Sequence, residues 1–316
     1  MQMMSDRVTN ALKQAIGPAM IKLLEDERVV EIMRNANGVL CIEYLGQDIQ
    51  ESDIIISKQA CESMIRILAS SIGEICNEKN PSIALKLPCW HARFQGLVPP
   101  VVEGPIFSIR KHSNQVFALS DYVNKEELSI EQFQGLIEAI KRRENIVISG
   151  GTGSGKTTLA NAILAEMIKT GDRIITVEDT PELRLEARIG QQIFTKDSIN
   201  YNSTKALKDI LRLRPDRIIL GELRDGSCLD LIKAWNTGHS GGLTTIHANS
   251  CELAMQRIES LISEVSINIP RDLISQTVNI LVQVKRQGAR RCISEIKRLS
   301  GLKEGSYLFE PIMGGV

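Results

Sequence analysis

Gly150-Gly151-Thr152-Gly153-Ser154-Gly155-Lys156-Thr157 is a complete G-x-x-x-x-G-K-[ST] loop, lying between an apolar run at 145–149 and a helical pattern that begins at Lys156. The spacing has a physical reading. Glycines let successive backbone N–H groups turn inward around a phosphate, Lys156 adds a mobile positive charge, and the Thr157 hydroxyl is placed to ligate Mg²⁺. Strand before and helix after are the context this chemistry requires. A loop of this kind predicts nucleotide binding on an α/β sheet.

Working outward from the loop, strand-like runs at 145–149, 173–178, 217–222 and 243–247 alternate with helical segments after Lys156, Ser203, Asp225 and Ser250, which predicts a parallel sheet with crossover helices. Runs at 280–284 and 292–296 are expected to extend it. Ser129-x-x-Gln132 fits a capping box for a helix reaching about residue 141.

The first third reads differently. Val8, Leu12, Ile16, Met20, Leu23 and Leu24 recur at helical spacing, with Gly17-Pro18 a break. Runs at 29–33 and 39–44 flank Asn35-Ala36-Asn37-Gly38, whose Asn-Gly pair predicts a hairpin. A short strand at 53–56 precedes Ser57, a cap for a helix burying Ala60, Met64, Ile67, Leu68 and Ile72. Runs at 82–87, 92–98 and 105–110 complete an antiparallel sheet. The expected domains are a small α+β domain over 1–111, a linker over 112–128 and the larger α/β domain over 129–316.

Composition narrows the function. With 38 basic and 38 acidic side chains and 4% aromatic residues, the chain has neither the global field nor an obvious stacking track for nucleic acid, and sequence-specific nucleic-acid binding is not expected. Seven scattered cysteines without a C-x-x-C pair argue against a zinc site or a disulfide framework. No apolar run approaches the roughly 18 residues that span a bilayer, so any membrane contact is expected to be peripheral, with the amphipathic segment 8–24 as its one candidate.

Parallel-sheet enzymes place their chemistry at the carboxyl ends of strands. Glu178 and Asp179 end one predicted strand and Glu222 another, where a carboxylate can order attacking water or a water on Mg²⁺; the alternative for each acid is a helix cap or an Arg partner. His239 and His247 flank a further strand in a Gly/Ser/Thr-rich segment, and the residues alone leave them open between hydrogen-bonding and catalytic roles. Arg110-Lys111 is either a solvated pair or a source of charge for a γ-phosphate. Arg212, Arg214, Arg217 and Arg224 cluster around the Glu222 strand, and one of them is a candidate to serve a neighbouring subunit's nucleotide.

Together, Gly150 to Thr158, Val177-Glu178-Asp179-Thr180-Pro181-Glu182-Leu183, Leu213 to Glu222 and the two-His segment resemble the Walker A, Asp box, Walker B and His box of the secretion ATPases, in that order. Phe107-Ser108-Ile109-Arg110-Lys111 and Lys233 to His239 resemble the conjugal-transfer branch of the type IV systems. The resemblance implies a RecA-like P-loop NTPase core, a PAS-like N-terminal domain, a homohexamer, ATP and Mg²⁺, inner-membrane secretion-apparatus partners, and a cytoplasmic location at the inner face of the inner membrane. It implies ATP held by Gly150, Gly151, Thr152, Gly153, Ser154, Gly155, Lys156, Thr157 and Thr158. Glu222 would polarise water, Glu178 would assist at water or Mg²⁺, His239 and His247 would position phosphates, and Arg110 would act across the domain junction. One departure from ordinary Walker B motifs is Gly221 in place of an Asp, which leaves Mg²⁺ to Thr157, ATP oxygens and waters, with carboxylates acting through those waters. Pilus or type II secretion motors, nucleic-acid-dependent RecA-like ATPases and a nucleotide-gated scaffold are the competing readings.

Overall fold

Alternation in the first third and continuous apolar runs in the rest produce two differently built sheets. The computed structural model describes residues 6–90, 92–111, 117–196, 199–288 and 290–312; the first residues of the expected linker, 112–116, and the side chain of Val8 lie outside them. Contacts divide the chain into two units, Met1–Gln115 and Val116–Val316.

In the first unit α1 (Asp6–Glu25) is interrupted at Gly17, whose φ of 75° and ψ of 169° are not helical, immediately before Pro18. Leu12, Met20 and Leu24 are buried, so the amphipathic face expected here is core. Strands β1 (Val29–Arg34) and β2 (Val39–Tyr44) pair antiparallel across the Asn-Gly turn, where Gly38 has a φ of 93°. β3 (Gln50–Ile55) follows, then α2 (Lys58–Ser71), whose Ser57 cap accepts from the Ala60 N–H. The buried stripe of α2 is Cys61, Met64, Ile65, Leu68 and Ala69. Ala60 and Ile67 sit at its rim, and Ile72 is 41% exposed because it stands at the C-cap beyond the last turn. β4 (Ser82–Leu87), β5 (Ala92–Leu97) and β6 (Ile106–Lys111) complete a six-stranded sheet ordered β3-β2-β1-β6-β5-β4.

The second unit opens with α3 (Leu119–Asn124), a helix inside the stretch expected as linker. Leu119 and Leu128 are buried in the core of this unit, so burial of two leucines holds the segment to the second unit. The capping box at Ser129 and Gln132 forms and opens α4 (Ile130–Lys141). Then β7 (Ile146–Gly150), α5 (Lys156–Ile168), β8 (Ile174–Glu178), β9 (Gln191–Phe194), α6 (Ser203–Ile210), β10 (Arg217–Leu223), α7 (Ser227–Asn236), β11 (Leu243–Ile246), α8 (Cys251–Ser263), α9 (Arg271–Thr277), β12 (Ile280–Gln287), β13 (Arg290–Lys303) and β14 (Ser306–Pro311) follow in order.

The sheet runs β14-β13-β12-β7-β11-β10-β8-β9. Every pair from β12 to β9 is parallel, and β12–β13 and β13–β14 are antiparallel. Every residue of β7, β8 and β11 is buried, which explains why these strands read as unbroken apolar runs: helices cover both faces. β9 and β14, at the two edges, are short and partly exposed, and carry too little periodicity to be read from the sequence.

Candidate active site

All parallel strands end on the same side as the phosphate loop that follows β7. The loop needs its glycines for separate reasons. A Cβ on Gly150 would stand 2.5 Å from the Val284 carbonyl oxygen of the neighbouring strand, while Gly153 and Gly155 have φ of 69° and 97°. Lys156 is 8% exposed, and its ammonium donates to the carbonyls of Gly150 and Gly151, both at 2.9 Å.

Adjacent to it a chain of contacts reaches Glu222. Lys156 Nζ lies 3.4 Å from His247 Nδ1, and His247 Nε2 lies 2.8 Å from Glu222 Oε1. The approach to Glu222 is close but is not an aligned hydrogen bond, since Oε1 is buried without a hydrogen-bond partner, whereas Nδ1 is placed to accept from the ammonium. Loss of water around the ring, with the Lys156 charge beside it, holds the His247 pKa below its ordinary value, in keeping with the neutral ring this arrangement needs. Arg224 donates through Nε and Nη2 to Glu222 Oε2, and through Nη1 to Asp179 Oδ2 at 2.7 Å.

Glu178 is a different kind of acid. It is 5% exposed, its Oε1 accepts from the N–H groups of Glu182 and Leu183, and its Oε2 is buried without a hydrogen-bond partner. Burial is the main cause that pushes its pKa up to about 7, opposed by those two N–H groups and reinforced by Glu182 and Asp179. The loop-capping alternative is therefore real for one oxygen, and the Glu178 side chain lines a cavity together with Thr157, Glu182, Gly221, Glu222 and Thr245. Gly221 has its explanation here: a Cβ at that position would stand 3.0 Å from Glu178 Cγ, so the carboxylate of the neighbouring strand fills the space a Walker B Asp would take.

Hard oxygen donors of this kind suit Mg²⁺. Among the described residues no cluster of three His, Cys, Asp or Glu could hold a metal by itself. Thr157 and Glu178 are the residues that fit it, although the Thr157 hydroxyl here donates to Glu182 Oε2 at 3.2 Å. Glu182 thus joins the site without having been singled out; its position four residues after Glu178 was the available signal.

The remaining polar candidates of this unit are divided between the two ends of the sheet. His239 lies at the amino-terminal end of the sheet, its Nδ1 3.0 Å from the Pro215 carbonyl oxygen before β10, so within one chain it does not join the phosphate loop. Arg217 is 1% exposed and bonds Asp172 (2.6 Å) and the carbonyls of Gly241 and Ile140, which makes it an internal clamp and removes it from the candidates for a neighbour's nucleotide. Arg224 is held by Glu222 and Asp179, while Arg212 and Arg214 are exposed. In the first unit Arg110 is exposed, and Lys111 donates to the Asp26 carbonyl at 2.7 Å, so the two are not an equivalent solvated pair.

A family model described as Type II/IV secretion system protein matches residues 2–306. The chain belongs to this family. Conjugal transfer protein TrbB of Rhizobium radiobacter is 40% identical over 306 residues, covering 96% of this chain and 94% of that protein. Type IV secretion system protein VirB11 of Bartonella henselae is 31% identical over 318 residues, covering 86% and 89%. Among solved structures, the ATPase DotB of Legionella pneumophila has a TM-score of 0.65 at 19% identity, covering 86% of this chain and 77% of that one, which shows a shared P-loop NTPase fold. With family and phosphate loop both in place, this secretion protein is an ATPase. Among the described residues no helix of the secretion ATPase is long and apolar enough to cross a membrane.

Proposed function

We propose that the protein is a hexameric ATP-hydrolysing motor of a conjugative type IV secretion system, working at the cytoplasmic face of the inner membrane with apparatus proteins as partners. The observation that carries the hydrolytic part is the fixed line Lys156–His247–Glu222: a phosphate-binding cation, a neutral imidazole and a carboxylate within 3.4 Å steps at the carboxyl ends of adjacent strands. In this reading Glu222 orients the attacking water and takes its developing proton, His247 holds Glu222 in place, and Lys156 meets the phosphate charge. Thr157 and Glu178 would hold Mg²⁺, which would supply neutralisation of phosphate charge.

The transport role draws on the TrbB and VirB11 relatives, and the ring on the exposed Arg212 and Arg214, cations a neighbouring subunit's nucleotide could use. The six-stranded sheet of the first unit is assigned as PAS-like, and its exposed Arg110 as a candidate cation for the γ-phosphate, to be tested by turnover of Arg110→Ala. The central experiment is ATP turnover with and without DNA, alongside mass in solution with Mg-ATP. Turnover indifferent to DNA, in a sixfold species, is expected, with Glu222→Gln binding ATP but hydrolysing it about 10²-fold more slowly. A fully active monomer, or DNA-dependent turnover, would overturn the proposal.

A further inference from the structure

Where β12 runs alongside β7, Ile280, Leu281, Val282 and Val284 are buried and apolar, as a strand covered on both faces requires. Between them stands Gln283, 1% exposed. An amide placed there loses its water and is tolerated only when bonded, whereas a methionine of similar length would fill the space without that cost.

The bonds of this amide join two segments at the phosphate site. Gln283 lies opposite Ser149, and its Oε1 accepts from the buried Ser149 hydroxyl. β7 lies between β12 and β11, and Gln283 Nε2 reaches past it to donate to the Ala248 carbonyl at 3.2 Å. Ser149 immediately precedes the loop glycines, and Ala248 immediately follows His247. Lys156 touches the same two segments, donating to the Gly150 carbonyl at 2.9 Å and lying 3.4 Å from His247 Nδ1. Lys156, Gly150, Ser149, Gln283, Ala248 and His247 therefore close a ring, with a cation on one side and a buried amide on the other. The two ties differ in permanence. A phosphate draws the ammonium toward itself and weakens its hold on the Gly150 carbonyl and on His247. The amide is neutral and buried, so an arriving phosphate has no charge to pull on there.

We propose that Gln283 is a positioning residue, which keeps the base of the phosphate loop and the His247 segment in register while Lys156 turns to the nucleotide. The assignment rests on the reading that His247 holds Glu222 for hydrolysis. The test is steady-state ATP turnover, with denaturant unfolding, on the full chain carrying Gln283→Met, His247→Ala or both. Gln283→Met should lower kcat by about tenfold, with KM for ATP within about twofold and unfolding near that of the parent. The double variant should be within about twofold of the slower single variant, because both changes act through one imidazole. An unchanged kcat, a loss of kcat that goes with a loss of stability, or losses that multiply to about a hundredfold would each overturn the proposal. If Gln283→Met does not fold, Ser149→Ala removes one of the two bonds from its other end and is read the same way, with an expected loss of about threefold. His247→Ala alone separates the two readings. Turnover at the parent rate would strike the His247 reading and this proposal with it, whereas a loss of about tenfold there beside an unaffected Gln283→Met strikes this proposal alone.

Discussion

The two ends of the parallel sheet hold nearly the same residue types and do opposite work. At the amino-terminal end Arg217 bonds Asp172 and His239 lies against the Pro215 carbonyl; at the carboxyl-terminal end Arg224, Asp179, Glu222 and His247 meet. Arg217 is 1% exposed, with its Nε, Nη1 and Nη2 all bonded, and it ties α4, the approach to β8 and the turn before β11 to the start of β10. Arg224 and His247 are about half exposed and touch only the ends of side chains. A buried, satisfied pair fixes a fold, whereas an open cluster with spare donors and acceptors can bind and react.

Removing the phosphate cation should produce the largest difference between the ends. Lys156→Ala is expected to lower turnover by about 10³-fold, roughly 4 kcal/mol, with thermal stability near that of the parent. Near-normal turnover would mean that the carboxyl end is not the reactive one. Arg217→Met should do the reverse: a loss of about 3 kcal/mol in denaturant unfolding, because Asp172 keeps its charge but loses its buried partner, while the folded fraction still hydrolyses ATP.

Glu178 tests whether the reactive end is built at a cost to stability. Its folded pKa of about 7 lies above the ordinary 4.5, so the native state holds a proton the unfolded chain has released, and stability from this group falls as pH rises from about 4.5 to about 7. Glu178→Gln should therefore be more stable than the parent at pH 8, by roughly 3 kcal/mol, and about equal to it at pH 4.5. Equal stability at both pH values would show that ionising Glu178 carries no penalty.

The smallest effects compare the histidines directly. His247→Ala should cut turnover by about tenfold, since Glu222 loses one of its two holders, and His239→Ala should stay within about twofold. Equal losses, with the His239 loss seen only in the assembled form, would show that one subunit's amino-terminal sheet end faces a neighbour's nucleotide.

Much of this molecule announces itself locally. The phosphate loop, the Asn37-Gly38 turn, the Ser57 and Ser129 caps and the break at Gly17-Pro18 depend on residues within a few positions of one another, so their signals are complete in short stretches. The strands with helices on both faces were legible for a related reason, because each needs an unbroken apolar run. The edge strands β9 and β14 were not, having one side in water, and the helix at 119–124 was hidden by the weak periodicity of six residues.

What the linear order leaves open is which distant residues meet. His239 and His247 belong to one segment, yet a four-residue strand, about 13 Å long, carries them to opposite ends of the sheet. Gly221 reads as a missing Asp until β8 is placed beside β10 and Glu178 fills the gap. Gln283 gains its relation to the loop only because β12 returns to pair with β7, more than a hundred residues earlier in the chain. The sequence alone determined the nucleotide loop, the parallel-sheet pattern and the pool of polar residues, since backbone turning and burial are local requirements. Tertiary structure decided which of those residues face the loop, because strand order is set by crossovers that bury whole helices, an energy summed over the domain and written in no single segment.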